Sequence, residues 1–265
     1  MAGAALPGRL NWLAATVSAV RRESAQAVRL VLDVPDWPGH LPGQHLVVRL
    51  TAEDGYAAQR SYSIASAAAG RRVDLVVERL ETGEVSPYLT GDLRPGDRIE
   101  VRGPVGLHFV WRPEDEGPVQ LVAGGSGVVP FLAVLQAHRQ ARSTAPVRLL
   151  YSTRSSDTLI GRTDLLGADV RGTDLLGADV SGAAVTVTYT RTLPPDWRGP
   201  TGRVTAAMLR ARALGPERDP VVYVCGPSGF VETVSTALVD LGHRAESVRT
   251  ERFGPSGTPT PLSPG

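Results

Sequence analysis

The feature that most restricts the fold is a change of hydrophobic period partway along the chain. From about Asn11 to Arg112, apolar and polar residues alternate. In 26–34, for example, Val28, Leu30, Leu32 and Val34 share one face. Residues 44–50 and 72–80 repeat the pattern. Turn signals punctuate these runs: Pro38-Gly39, Pro42-Gly43, Asp54-Gly55, Thr82-Gly83, Pro95-Gly96-Asp97 and Gly103-Pro104. Short strands with tight turns and no helical period predict an antiparallel barrel or sandwich, and a Greek-key β-barrel is the fold class expected. The charged stretch RPEDEGP (112–118), with proline near both ends, reads as a linker, placed at 113–118. Beyond it strands alternate with helices. Strands are expected at 119–123, 147–151, 185–189 and 221–224, and helices at 131–142, 205–213 and 229–241. That order predicts an α/β domain with a doubly wound parallel sheet, whose ligands lie past the carboxyl ends of its strands. The expected division is a barrel over 9–112 and a nucleotide-binding domain over 119–254. The tail 255–265, almost all Gly, Pro, Ser and Thr, is expected to be disordered.

One segment breaks the pattern. TDLLGADVRG (163–172) is followed at once by TDLLGADVSG (173–182). Two copies are too few for a solenoid. They read as a local duplication lengthening a helix or loop, cheap to hold at a surface.

Composition excludes several functions. The net charge of +1 gives no electrostatic case for a nucleic acid or an anionic membrane, so neither is expected as a partner. All 28 basic side chains are Arg, which removes a Lys Schiff base and a Walker-type phosphate loop. One cysteine, Cys225, cannot build a disulfide framework, a zinc site or an iron–sulfur cluster within the chain, and no metal site is expected. The five histidines (His40, His45, His108, His138 and His243) lack ligand spacing and read as structural. Arg21-Arg22 is followed by Glu23-Ser24 rather than an apolar run, and no stretch of about 18 apolar residues occurs. The expectation is a soluble, cytoplasmic protein.

Six motifs carry chemistry. Arg60-Ser61-Tyr62-Ser63-Ile64 combines a guanidinium fork suited to a diphosphate, a flat ring for stacking and a small hydroxyl. On a strand Arg60 and Tyr62 face one way, Ser61 and Ser63 the other. A flavin dinucleotide offers both a diphosphate and a flat ring, although taken alone the segment reads as a half-exposed strand with a chance Arg and Tyr. Gly83-Glu84-Val85-Ser86 allows close backbone approach, and Ser86 is placed to cap a short helix; an ordinary capped turn explains it as well. Gly124-Gly125-Ser126-Gly127-Val128-Val129-Pro130 joins a buried strand to a helix, with Pro130 suited to the first helical position. Its small residues open backbone amides to a diphosphate, unless glycine is needed there only for packing. Ser152-Thr153-Arg154 ends the next strand with hydroxyls and an Arg where a ribose-binding acid is usual, and Arg191 and Arg203 suit the same 2′-phosphate. Each of these three is otherwise a solvated Arg. Cys225-Gly226-Pro227 ends a strand at a place that borders a nicotinamide, or holds an inert buried thiol. Glu251-Arg252-Phe253 offers a proton relay and a packing ring at the end of the last strand.

Motifs of these types in this order resemble the ferredoxin–NADP reductase family, from about Arg9 to Gly254. Pro42-Gly43-Gln44-His45 and Gly103-Pro104-Val105-Gly106 are similar to family features as well. The resemblance implies an FAD barrel followed by an NADP(H) domain. It implies that Arg60 holds the FAD diphosphate with the 83–86 amides and Ser86. Tyr62 would stack on the flavin and Ser63 would lie near its N5. Ser63, Cys225 and Glu251 would line the transfer site as catalytic residues. The full cofactor-binding set implied is Arg60, Ser61, Tyr62, Ser63, Val76, Gly83, Glu84, Val85, Ser86, Gly124, Gly125, Ser126, Gly127, Pro130, Ser152, Thr153, Arg154, Arg191, Arg203, Cys225, Gly226, Pro227 and Phe253. The function implied is hydride transfer from NADPH, preferred over NADH, to FAD. Single electrons would then pass to a separate carrier such as ferredoxin, flavodoxin or an oxygenase component. A flavin reductase using small acceptors and a non-catalytic flavin-binding subunit stand as alternatives. The chain departs from plant-type members in not ending on a flavin-stacking aromatic residue, and in carrying the tandem decapeptide.

Overall fold

The computed structural model describes residues 11–166, 176–180 and 183–253. The alternating runs of the first half become six strands: β1 (Leu13–Arg22), β2 (Ala27–Asp33), β3 (His45–Thr51), β4 (Ala57–Ser63), β5 (Arg72–Glu78) and β6 (Arg98–Val105). They pair antiparallel in the order β4-β3-β6-β1-β2-β5. A bridge between Ile64 and Leu75 joins the two outer strands and closes the sheet into a barrel. Period-two patterning turns Leu30, Leu32, Leu46, Val48, Val73 and Leu75 inward, all fully buried. The short helix α1 (Ser86–Gly91) adds Leu89 to the same core, beside Val85 and Leu93.

The second half is an α/β layer structure. Its elements are β7 (Val119–Gly124), α2 (Val129–Ala141), β8 (Val147–Thr153), α3 (Arg162–Leu166), β9 (Leu176–Val180), β10 (Ala183–Tyr189), α4 (Ala206–Arg212), β11 (Val221–Pro227), α5 (Ser228–Asp240) and β12 (Val248–Phe253). The sheet order is β12-β11-β7-β8-β10-β9. All pairings are parallel except β10 with β9. From β7 the chain builds outward through β8 and β10, then returns to add β11 on the other side. The switch point therefore lies between β7 and β11, where such sheets open a crevice.

The tandem repeat corrects one expectation, that it lengthens a helix or loop. Thr163–Leu166 of the first copy does lie in α3, but 176–180 of the second copy forms the antiparallel strand β9. Residues 167–175, 181–182 and the tail 254–265 lie outside the described residues. The second copy immediately precedes β10, whose open edge offers unpaired backbone groups; pairing there overrides the preference of the shared sequence.

The two halves share a core. Ala65, Ala67, Val76, Phe109 and Trp111 from the first half pack in one cluster with Leu121, Phe131, Leu135 and Tyr223 from the second. Polar ties reinforce it. The Tyr223 hydroxyl donates to the Val110 carbonyl at 2.7 Å, and Arg249 donates to the same carbonyl at 3.1 Å. Arg29 on β2 pairs with Glu23 at 2.9 Å, lies 3.6 Å from Asp74, and also pairs with Asp164 of α3. Glu23 in turn accepts from the Gly161 N–H at 2.8 Å.

Candidate functional site

The carboxyl ends of β11 and β12 meet the first residue of β3 at the seam between the halves. Parallel pairing sets Cys225 opposite Glu251, and antiparallel pairing sets His45 opposite Ser63. His45 Nδ1 lies 3.7 Å from Glu251 Oε1, which joins the two pairs. Four strands thus bring Ser63, His45, Glu251 and Cys225 together. The Ser63 hydroxyl and Glu251 Oε2 are both buried without a hydrogen-bond partner. Unpaired buried oxygens are costly, and two of the four buried polar side-chain atoms without partners among the described residues fall at this seam.

Burial sets the electrostatics here. It pushes the Glu251 carboxyl up to about 7. It pushes His45 down, toward the neutral imidazole. At 3.7 Å the two are too far apart to share a hydrogen bond, and burial disfavours the charged form of each, so the contact is not built as an ion pair. The Cys225 thiol is pushed well up, first by burial and then by the adjacent Glu251. Both effects disfavour the thiolate.

On the barrel side, β4 leaves Arg60 and Ser61 exposed, half-buries Tyr62 and buries Ser63. Tyr62 stands opposite Leu46, and burial raises its phenol to about 12. Arg60 Nη2 is 3.6 Å from Glu84 Oε2, and Nη1 donates to the Gln59 carbonyl at 2.7 Å. The capping role expected of Ser86 is corrected. The cap position of α1 is Val85, without a side-chain bond, and the Ser86 hydroxyl instead accepts from the Leu80 N–H at 3.0 Å. Ser86 pins the loop whose glycine is Gly83, where an added Cβ would meet that hydroxyl at 3.0 Å. Val76 is buried in the shared core.

The glycine-rich run divides by role. Gly125, with φ of 56°, faces open space and starts the 3-10 turn Gly125–Val128 that carries Ser126. Gly124 and Gly127 serve packing. A Cβ on Gly124 would meet the Phe230 ring at 2.8 Å, and one on Gly127 the Cys225 carbonyl oxygen at 2.1 Å. Pro130 is the second residue of α2, not the first, because the helix begins at Val129. Both positions leave its missing N–H unneeded. Strand β8 ends on Ser152 and Thr153. The carbonyl of Arg154 then accepts from the N–H groups of Arg191 and Thr192, at 3.0 and 3.1 Å, and the Gly202 N–H donates to the Tyr189 carbonyl at 2.9 Å. These bonds gather the segments bearing Arg154, Arg191 and Arg203 at the carboxyl ends of β8 and β10, all three exposed. Gly226 and Pro227 continue β11 rather than starting a loop, and Phe253 pairs in register with Pro227 and packs on the shared core.

His45, read from the sequence as structural, lies beside Glu251. The neighbouring Pro42-Gly43-Gln44 is the only signal for it in the sequence. His40 and His138, by contrast, bond the carbonyls of Ser66 and Ala145 inside the protein. Tyr56 escapes sequence reasoning too; its hydroxyl donates to Glu84 Oε1 at 2.9 Å. Among the described residues no cluster of His, Cys, Asp and Glu suits a metal, and no helix is long and apolar enough to cross a membrane.

Known proteins share this architecture. Residues 14–111 match the oxidoreductase FAD-binding domain family and 121–236 the oxidoreductase NAD-binding domain family. One of the subunits of the 1,2-phenylacetyl-CoA epoxidase from Escherichia coli is 28% identical over 92% of this chain and 68% of that relative. NADH-cytochrome b5 reductase 1 from Coccidioides immitis is 30% identical over 76% of this chain and 65% of its own length. The chain thus spans about two thirds of each of these curated relatives. The solved FAD/NAD-binding domain of the Vibrio cholerae nitric oxide dioxygenase superposes with a TM-score of 0.77, at 28% identity, over 92% of this chain and 99% of that one. A closed antiparallel barrel joined to a parallel sheet, with both cofactor-domain families matched in order, defines an NAD(P)H-dependent flavoprotein reductase. The chain belongs to the ferredoxin–NADP reductase family.

Proposed function

We propose that the chain takes electrons from NADPH through FAD and delivers them to a separate acceptor protein. The observation that supports this most is the meeting of Ser63, His45, Cys225 and Glu251 at the seam, with two buried oxygens lacking partners. FAD, when bound, supplies the redox chemistry, accepting a nicotinamide's electron pair and releasing electrons singly. In this reading residues 9–112 hold FAD and 119–254 hold the coenzyme. The Arg60 fork and the 83–86 amides bind the diphosphate, and the Tyr62 ring orients the flavin by stacking. Ser63 supplies a hydroxyl to the ring edge, and Val76 packs beside it. The open amides at Gly125 and Ser126 take the coenzyme diphosphate. Cys225, Gly226 and Pro227 line the nicotinamide's place, and Phe253 closes one side of it. Glu251, which titrates near 7, holds or releases a proton at Oε2 under ordinary conditions. Together these residues orient two cofactors and keep water from the seam.

The preference for NADPH rests on the gathered Arg154, Arg191 and Arg203, which suit a 2′-phosphate. The separate acceptor is a ferredoxin, a flavodoxin or an oxygenase component; the E. coli relative, named as one subunit of an epoxidase, favours the last. Purification, a visible absorption spectrum and rapid mixing with NADPH test the proposal. A yellow protein that bleaches on mixing and then reduces a carrier protein faster than free flavin or quinone is expected. A colourless chain that takes up no FAD overturns the proposal. Bleaching followed by reduction of small acceptors alone overturns the carrier assignment.

A further inference from the structure

The carboxylate of Glu84 faces two groups that do not belong to its own loop. Oε1 accepts from the Tyr56 hydroxyl at 2.9 Å, and Oε2 lies 3.6 Å from Arg60 Nη2. Tyr56 itself is fixed on the β3–β4 turn, where its N–H donates to Asp54 and its carbonyl accepts from Ala52. One side chain therefore ties that turn, the middle of β4 and the β5–α1 loop together across the ground where Arg60 would meet a diphosphate. A carboxylate is a chemically contrary choice there. A guanidinium that serves a diphosphate already faces an anion, and Glu84 adds a second negative charge beside the same fork.

We propose that Glu84 is a built-in competitor for Arg60. It holds the guanidinium in the cofactor-free protein and yields it, with the Tyr56 bond, when the diphosphate is seated. The inference rests on the reading of Arg60 as the diphosphate ligand. Glu84 then sets how tightly the flavin is held without touching the transfer site at the seam. Exposure bounds the effect: the Arg60 and Glu84 side chains are 51% and 53% exposed, so solvent screens their attraction and the competition is modest. It also weakens with salt, because exposed charges are screened over about 10 Å at 0.1 M.

The test is the FAD dissociation constant of the full chain, stripped of flavin and titrated by flavin fluorescence. Glu84→Gln is expected to tighten FAD roughly threefold to fivefold at low salt, with the gain shrinking at high salt. Tyr56→Phe is expected to tighten it by less, because it frees the carboxylate without removing its charge. Glu84→Gln binding FAD no more tightly than the parent, with unchanged thermal melting, overturns the competitor. Arg60→Gln separates the two levels. If it weakens FAD, the diphosphate reading stands and the Glu84 result judges the competitor alone. If it leaves FAD affinity unchanged, the diphosphate reading fails, and the competitor with it.

Discussion

Glu251 shows how much a single buried carboxyl costs. Its ionisation moves from 4.5 to about 7 because burial withholds water from the charged form. The folded pKa is above the unfolded one, so between these values the folded state binds the extra proton. The penalty is absent below about pH 4.5, grows as pH rises and is complete above about pH 7. Glu251→Gln is therefore expected to raise unfolding free energy at about pH 8 by up to about 3 kcal/mol and to change little near pH 4.5. Urea melts at the two pH values check it; equal gains at both would refute the buried charge. Past the carboxyl end of β8, Arg154→Ala is expected to lower kcat/KM for NADPH about tenfold, the worth of one charge-assisted contact, and to spare NADH. Steady-state kinetics with both coenzymes measure it. At this scale a motif that is local, such as Arg60 to Ser63, can be picked out from the sequence alone. His45 cannot, because its meaning comes from Glu251, a residue far along the chain that only the meeting of two sheets brings near. Nor can Glu84, whose partners lie on two other segments.

Elements are legible where burial contrast is strong. β7 is buried throughout and the following helix carries a wide apolar face, so the strand–helix unit is plain. β1 is harder, since most of its residues are only partly covered and alternation loses contrast. The repeat is illegible for a deeper reason. The first copy's Leu166 ends a helix and the second copy's equivalent Leu176 starts a strand, so position beside β10, not composition, decides. The glycine-rich turn reads correctly as a strand–helix junction, but which glycines serve packing depends on β11 and Phe230. Gly127→Ala tests that division. Its Cβ would fall 2.1 Å from a backbone oxygen that no rotamer can move, so a loss of about 1–3 kcal/mol by urea unfolding is expected. Gly125→Ala meets no neighbour, and its cost is limited to the positive φ, about 1 kcal/mol.

The two halves are fastened by the shared apolar cluster, by the bonds of Tyr223 and Arg249 to the Val110 carbonyl and by the Arg29 clasp. Arg29→Ala would leave Glu23 and Asp164 without their common cation, and Asp74 with only Arg72. Stranding partly buried carboxylates is expected to cost about 3 kcal/mol. Hydrogen exchange would then quicken first in α3 and the neighbouring turn at Gly161. Faster exchange spread evenly over the barrel would count against a local clasp. The sole sulfhydryl, Cys225, has no exposed surface and sits in the cluster to which both halves contribute. A reagent can reach it only when the packing around it opens, so the pace of its alkylation is an intrinsic stopwatch for that breathing, readable without adding a label anywhere else.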